Sequence, residues 1–315
     1  MVGYYGFGNA GDDILFDVSR ELIDEIGFEV SALYTKSGRL GGTKLVNRWD
    51  PLSVIKEIFR SKALVFGGGG IFQDETSVRS VVYYAALAKI AHFFGKKVIL
   101  LGSGIGPLRS KLARFLVRWV LRSNKTFVLA RDPVTERYAR RLSKKVYPGT
   151  DLAVLHLSRF SHSVDKKKTA VIVPKKLEDW DDVAEYLERK GYEICFVAVS
   201  PEEIGTVRKY VGRYRVVEGD PTGLVVESSI VISERFHPCL ISAYSGIPFV
   251  SVGEKKTERF FRDLLKGYPG FSRKEKEDIM VKIEEVEGMD IDIRENLDRT
   301  ADRMIDRFRK ILLNL

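Results

Sequence analysis

Cysteine is almost missing from this chain. Cys195 and Cys239 are its only thiols, each inside an apolar run and neither at a metal-ligand spacing. That excludes a disulfide framework and a cysteine zinc site, and leaves two buried, reduced thiols in a protein expected to be cytoplasmic. Long apolar runs are missing as well: no segment approaches the ~20 residues of a membrane span. The chain runs from Met1 almost at once into a glycine-rich loop, so no secretory signal pattern is present and the first strand is short, as if several residues were missing before it. No carboxylate cluster has metal spacing, and no metal or cofactor is expected. Zinc-finger spacing, RNP-like aromatics and basic-region heptads are also lacking, which argues against nucleic acid. The net charge of +9 comes from Lys and Arg that read as scattered along the chain. Such a balance suits phosphorylated or polyanionic ligands, or peripheral contact with the anionic inner face of a membrane.

What is present is alternation. A hydrophobic content of 44% over 315 residues supports two cores rather than disorder. Apolar strands such as 63–66, 98–101, 126–130, 169–173 and 192–199 alternate with amphipathic helices such as 12–26, 52–60, 78–94, 109–121 and 178–190. The pattern predicts an α/β protein of two doubly wound, Rossmann-like domains. Their expected bounds are 1–160 and 168–295, with a polar linker across 156–168 and a terminal amphipathic helix, 296–315, packing back on the body.

The most informative stretch is 230–256. A buried strand, 230–233, turns through Glu234, Arg235 and Phe236 to His237 and Pro238, where a helix is expected with proline at its first position. A second strand, 248–252, runs into Lys255 and Lys256. Both strand ends should open on one edge of a parallel sheet, where Arg235, His237, the lysine pair and the start of a helix would hold an anion. Glu234 is the acid nearest in sequence to pair with Arg235.

Three glycine-rich stretches follow strands in the first half. Gly6, Gly8 and Gly11 fit the G-x-G-x-x-G spacing of dinucleotide loops, but the strand at 28–34 ends in Thr35 and Lys36, without the acid that grips an NAD ribose. Gly67 to Gly70 lead into Gln73, Asp74, Glu75, Thr76, Ser77 and Arg79, a polar group fit either for a ligand surface or for capping the next helix. Gly102, Gly104 and Gly106 follow the strand at 98–101. Asp151 is expected either to face a cleft or to cap a helix.

Four motifs together resemble the polysaccharide pyruvyl transferases, and among them the bacterial enzymes that attach pyruvate ketals to the secondary cell-wall polymers anchoring S-layers. They are GYYGFGNAGDD at 3–13, GGGGIFQDETSVRSVVYY at 67–84, GSGIGPL with RDPVT within 102–135, and ERFHPCLISAYSGIP at 234–248. The resemblance implies a GT-B-like pair of domains facing across a cleft. It implies phosphoenolpyruvate as donor, a sugar of a lipid-linked or polymeric glycan as acceptor, and release of phosphate with closure of a ketal. Arg235, Phe236 and His237 stand where family members carry an Arg-Leu-His triplet at the donor site. Arg235 would grip carboxylate or phosphate, His237 would protonate the methylene carbon, and Lys255, Lys256 and Lys175 would neutralise the phosphate. Asn9, Asp12, Gln73, Asp74, Ser77 and Arg79 would line the acceptor side, with Asp74 as the base.

The chain departs from relatives in two places. Pro174-Lys175-Lys176 replaces a Ser-x-Arg, and Gly253-Glu254-Lys255-Lys256 replaces Tyr-Asp-Pro-Lys. Two other readings stay open: a GT-B glycosyltransferase using a nucleotide-sugar donor, and a nucleotide- or glycan-binding module without catalysis.

Overall fold

The computed structural model describes residues 1–75, 77–160, 167–177, 179–273 and 275–315. Thr76, positions 161–166 of the expected linker and the expected helix start at Glu178 lie outside the described residues. Contacts divide the chain into two units, Met1–Phe7, Asp12–Ala153 and Arg299–Leu315 in the first, Gly8–Gly11 and Val154–Asp298 in the second. The expected bounds of 1–160 and 168–295 differ at the glycine loop, which joins the second unit, while the last helix, expected to pack back on the body, joins the first from Arg299 on.

In the first unit α1 (Ala10–Glu25) is followed by β1 (Ser31–Tyr34), β2 (Gly38–Leu40) and β3 (Thr43–Asn47), a three-stranded sheet ordered β1-β3-β2 in which only β2 is antiparallel. Next, α2 (Pro51–Arg60) starts where Asp50 accepts the Ser53 amide and Pro51 needs no donor, and it turns Val54 and Ile58 inward. Burying each of those side chains is worth ~1.5–3 kcal/mol. Then β4 (Ala63–Phe72), α3 (Val78–Phe93), β5 (Lys97–Ile105), α4 (Lys111–Leu121), β6 (Thr126–Ala130), α5 (Pro133–Arg140) and β7 (Val146–Pro148) build a parallel sheet in sequence order. The short first strand links the sheets: Met1 accepts from the Leu33 amide, and Val2 exchanges bonds with Val65 and Gly67.

Strands β4 and β5 do not stop at the expected positions but run on through their glycines. At Gly67 a Cβ would stand 2.3 Å from the Tyr5 hydroxyl and 2.4 Å from Ser19 Oγ, so only glycine lets the strand pass there. Tyr5 donates to the Gly67 carbonyl at 2.7 Å, and the register shifts between Gly69 and Phe72 as a bulge.

The second unit carries α6 (Ala153–Leu157), β8 (Thr169–Val173), α7 (Asp181–Arg189), β9 (Glu193–Ala198), a 3-10 turn at Pro201–Glu203, α8 (Ile204–Arg208), β10 (Arg215–Glu218), α9 (Thr222–Val226), β11 (Ile230–Ser233), α10 (Phe236–Tyr244), β12 (Phe249–Val252), α11 (Lys255–Phe261), β13 (Phe271–Ser272) and α12 (Lys276–Val286). Its six strands are all parallel and ordered β10-β9-β8-β11-β12-β13. The chain works outward from β8 to β10, then crosses back to β11, so the order reverses between β8 and β11. Ligands of doubly wound sheets bind at such a reversal, outside the carboxyl ends of the strands. Trp180 and the stacked pair Phe196 and Tyr210, 3.9 Å between centroids, fill the core beside it.

The last helix, α13 (Arg294–Leu313), buries Leu297, Ala301, Met304, Phe308 and Ile311 at helical spacing. Within the first unit, Met304 lies against Gly149, Arg307 stands 4.4 Å over the Tyr147 ring, and Lys97 donates to the Asn314 carbonyl.

Candidate functional site

At the reversal of the second sheet, β8 ends in Pro174-Lys175, β11 in Glu234-Arg235 and β12 in Gly253-Glu254. Glu234 does not pair with Arg235 as sequence proximity suggested. One of its oxygens accepts the amides of Lys175, Lys176 and Leu177 at 2.6, 2.7 and 2.9 Å, tying the β8 and β11 exits together. Arg235 instead donates Nε to Glu203 and Nη2 to Glu202, two acids on the turn after β9. Glu203 is fully buried, and its other oxygen takes the amides of Val199 and Ser200 at 2.8 and 3.1 Å. Burial pushes the Glu203 carboxyl above the usual carboxylate range, and the Arg235 charge opposes that push without cancelling it. Arg235 is thus fixed in place by an anchor that water does not reach.

Two lysines complete the cluster. Lys175 lies 3.8 Å from Glu254, and burial, with help from the Arg235 charge and against the pull of Glu254, lowers its ammonium pKa. Lys256 also pushes that pKa down, which places it within electrostatic reach of Lys175; Lys255 is exposed. Lys255 and Lys256, which the sequence showed only as following the strand, are helical. They open α11, whose cap is the Glu254 side chain accepting the Lys256 amide at 3.1 Å.

Helix α10 begins at Phe236, so Pro238 is its third residue rather than its first and His237 lies in the first turn. The half-buried His237 ring rests on the glycine loop: a Cβ on Gly11 would come within 2.0 Å of Nδ1. That loop is held by the Ala10 amide, which donates to Val199 at 2.9 Å, and by Asn9, whose Oδ1 accepts the Gly11 amide at 3.2 Å. The last glycine of the G-x-G-x-x-G spacing, Gly11, therefore has a steric reason to be glycine. It lets the chain pass under a histidine. Asn9, expected on the acceptor side, belongs to this second-unit edge.

In the first unit the residues after β4 are used more for structure than the sequence suggested. Both Asp74 oxygens receive the Arg109 amide at 2.7 and 2.9 Å, and one also takes the Ser110 amide at 2.6 Å. Burial raises the Asp74 carboxyl and these amides outweigh it, leaving it below the usual carboxylate range, which is the wrong direction for a general base. Gln73 is buried and accepts the Glu75 amide, and Ser77 caps α3 by accepting the Arg79 amide. Arg79 is exposed. Asp12 Oδ1 would stand 3.5 Å from a Cβ on Gly69, at the β4 bulge. Asp151 is fully buried; it accepts the Ala153 amide at 3.0 Å and lies 3.7 Å from Arg131, so the capping expectation fits and the cleft-facing one does not.

A group that sequence reasoning missed stands where β3 ends. Arg48 is buried, donates to the Gly3 carbonyl and the Tyr84 hydroxyl, and lies 5.2 Å from the Phe7 and Tyr83 rings and 5.7 Å from the Trp49 ring. Trp49 is 66% exposed, and the half-exposed Tyr4 ring stacks on Phe7 at 4.2 Å. The signal in the sequence was Arg-Trp followed by the Asp-Pro of a helix start, legible only once β3 is recognised as a strand.

Solved structures with the same fold include the UDP-GlcNAc 2-epimerase of Methanocaldococcus jannaschii in complex with UDP-GlcNAc and UDP, at TM-score 0.64 and 11% identity over 96% of each chain. The wall teichoic acid polymerase TagF matches at TM-score 0.55 and 10% identity, over 98% of this chain and 82% of its own. At such identities the likeness concerns fold, and it agrees with two Rossmann-like units of GT-B type. No curated protein matches the chain. A family model described as polysaccharide pyruvyl transferase matches residues 9–256.

Proposed function

The chain belongs to the polysaccharide pyruvyl transferase family, and from that premise we propose that it joins phosphoenolpyruvate to two hydroxyls of one glycan sugar, forming a pyruvate ketal and releasing phosphate. The observation that carries this reading is the basic trio at the sheet reversal, Arg235, Lys175 and Lys256 beside the first turn of α10, with Glu202, Glu203 and Glu254 holding Arg235 and Lys175 in place. Phosphoenolpyruvate is small and carries both a carboxylate and a phosphate. A helix N-terminus flanked by these side chains suits two anionic groups on so small a molecule once the donor displaces the exposed Glu202 from Arg235.

His237 gives a proton to the methylene carbon, which becomes the methyl group, and the charge left on the adjacent carbon is met by a sugar hydroxyl. The bond from that carbon to the phosphate oxygen then breaks, and phosphate leaves with the electron pair toward Lys175 and Lys256. A second hydroxyl closes the ring. Of the two hydroxyl protons released, one replaces the proton lost by His237 and the other departs with phosphate. Asp74 serves to shape the loop before α4. Gln73, Ser77 and Arg79 remain acceptor-side candidates, and to them we add the shelf of Trp49 and Tyr4 over Arg48, because exposed aromatic faces suit sugar rings.

Thermal shift and turnover together test the reading. Phosphoenolpyruvate is expected to raise the melting temperature, by up to ~2.7 kcal/mol of stability at a hundredfold excess over its dissociation constant. UDP-sugars are not. His237→Ala should keep that stabilisation while phosphate release falls ~10²–10⁴-fold. A shift with UDP-sugars alone, or unchanged turnover in the variant, overturns the assignment.

A further inference from the structure

The basic residues are spread evenly along the chain, but the acids are not. From Val78 to Ala130 the chain carries ten Lys or Arg and no Asp or Glu, where 43 acids in 315 residues would place about seven in a stretch of that length. This segment includes α3 and α4, which pack on each other, and α2 packs beside α3. Each helix also has a second apolar stripe, opposite the one that enters the core. On α2 it is Leu52, Ile55 and Phe59; on α3 it is Val82 and Phe93; on α4 it is Leu112, Phe115 and Trp119. Their spacings of three, four and eleven keep each set on one side of its helix. Phe93 is 85% exposed, Phe115 62% and Trp119 50%, far more aromatic surface than stray surface residues account for.

Cations sit among these rings. Lys89 Nζ stands 4.0 Å over the Trp119 ring, Phe115 stacks on Trp119, and Lys96 lies 5.9 Å from the Phe59 ring, which meets Phe94 edge-on at 5.2 Å. Lys111, Arg114, Arg118 and Arg122 flank the α4 stripe. Glu57 of α2 is the one acid on the three helices, and it is bonded to Ser31 and Lys44. Apolar and aromatic side chains set in this way among Lys and Arg match one chemistry, an anionic bilayer surface, where rings enter the headgroup boundary and cations meet lipid charge. Nucleic acid could stack bases on the rings, but its charged backbone has little to offer the aliphatic Leu52, Ile55, Val82 and Leu112. A second copy of the chain would oppose cation to cation. Among the described residues no helix is long and apolar enough to cross a membrane, so the contact is peripheral.

We propose that the outer face of α2, α3 and α4 docks on membranes rich in anionic phospholipid. The inference goes beyond the transfer reaction and stands or falls without it. The test is flotation of the full chain with vesicles of phosphatidylcholine alone or mixed with phosphatidylglycerol, at low and high salt. Expected is co-flotation with the anionic vesicles only, weakened by salt. It should fall at least ~10-fold in Phe115→Ser/Trp119→Ser and in Arg114→Glu/Arg118→Glu, each melting like the parent. Should the aromatic variant unfold, the charge-reversal variant and the parent's salt response decide. No flotation, equal flotation on neutral vesicles, or the same variants instead dissolving a dimer in sedimentation or abolishing binding to RNA would each overturn the proposal.

Discussion

Arg235 lies between two carboxylates that the chain uses differently. Glu203 is buried and shared with two amides, whereas Glu202 is 61% exposed. Truncating Glu203 strands a guanidinium and two amides, a loss on the order of 3–5 kcal/mol. Truncating Glu202 costs at most ~1 kcal/mol, because exposed ion pairs are worth little. A donor carboxylate would compete with Glu202 for Nη2. Glu202→Ala is therefore expected to lower the Michaelis constant for phosphoenolpyruvate about two- to fivefold with an unchanged melting point. Glu203→Ala should melt well below the parent. Steady-state kinetics and calorimetry check both, and a raised Michaelis constant in Glu202→Ala would make Glu202 a donor ligand instead. The sequence pointed to Arg235 and His237 through a short motif, but not to Glu203. Position 203 meets position 235 only because β9 and β11 flank β8, and nothing in the local pattern of either strand announces that order.

Elements with a strong apolar period were legible: α2, α3, α4, β6, β8 and β11 lie at or within two residues of the expected bounds. Short or polar ones were not. The first turn of α11 is Lys-Lys-Thr, β13 has two residues, and β2 is exposed throughout, so each forms through tertiary contact rather than through its own pattern. One junction between elements should respond to pH. His92, in the last turn of α3, lies 3.0 Å from Thr126 Oγ1, whose own proton goes to the Val120 carbonyl at 2.8 Å, so His92 donates through Nε2. Burial, reinforced by Lys89 and Lys125, pushes its pKa down from 6.5 to about 4. The unfolded chain then takes up a proton that the folded one refuses. The stability this group confers is complete above pH 6.5 and drains away as pH falls toward 4. The ring is half-buried, so the loss is on the order of 1–2 kcal/mol. His92→Gln should flatten the fall in urea midpoint between about pH 7 and pH 4.5. An equally steep variant would locate the acid sensitivity elsewhere.

At the scale of the molecule, the sequence pattern made two doubly wound units and a last helix packing back on the body legible, whereas the exchange of the glycine loop into the second unit was not. A glycine loop reads as part of whatever follows it in sequence. Its use under His237 rests on the fit of one backbone to one ring, a fit with no periodic signature. The last helix bears on attempts to isolate the first unit. A fragment covering 1–153 holds the whole four-stranded sheet but lacks Ala301, Met304, Phe308 and Ile311, the buried stripe of the last helix, whose Met304 lies against Gly149. Such a fragment is expected to expose apolar surface and aggregate, and a peptide covering 294–315 added in trans should raise its melting temperature. A fragment that melts like the full chain by circular dichroism would show the helix to be dispensable.

The same arrangement fixes an order of events on the ribosome. Val154–Asp298 separates the body of the first unit from the segment that closes it, a stretch of 145 residues. At ~5–20 residues per second that is roughly 7–30 s during which a finished sheet emerges with its closing helix not yet made. Vectorial folding from the amino end therefore completes the second unit before the first, and a nascent chain stalled in this interval lacks the buried stripe of its last helix. Chaperone demand for this protein should therefore be concentrated in the second half of its translation.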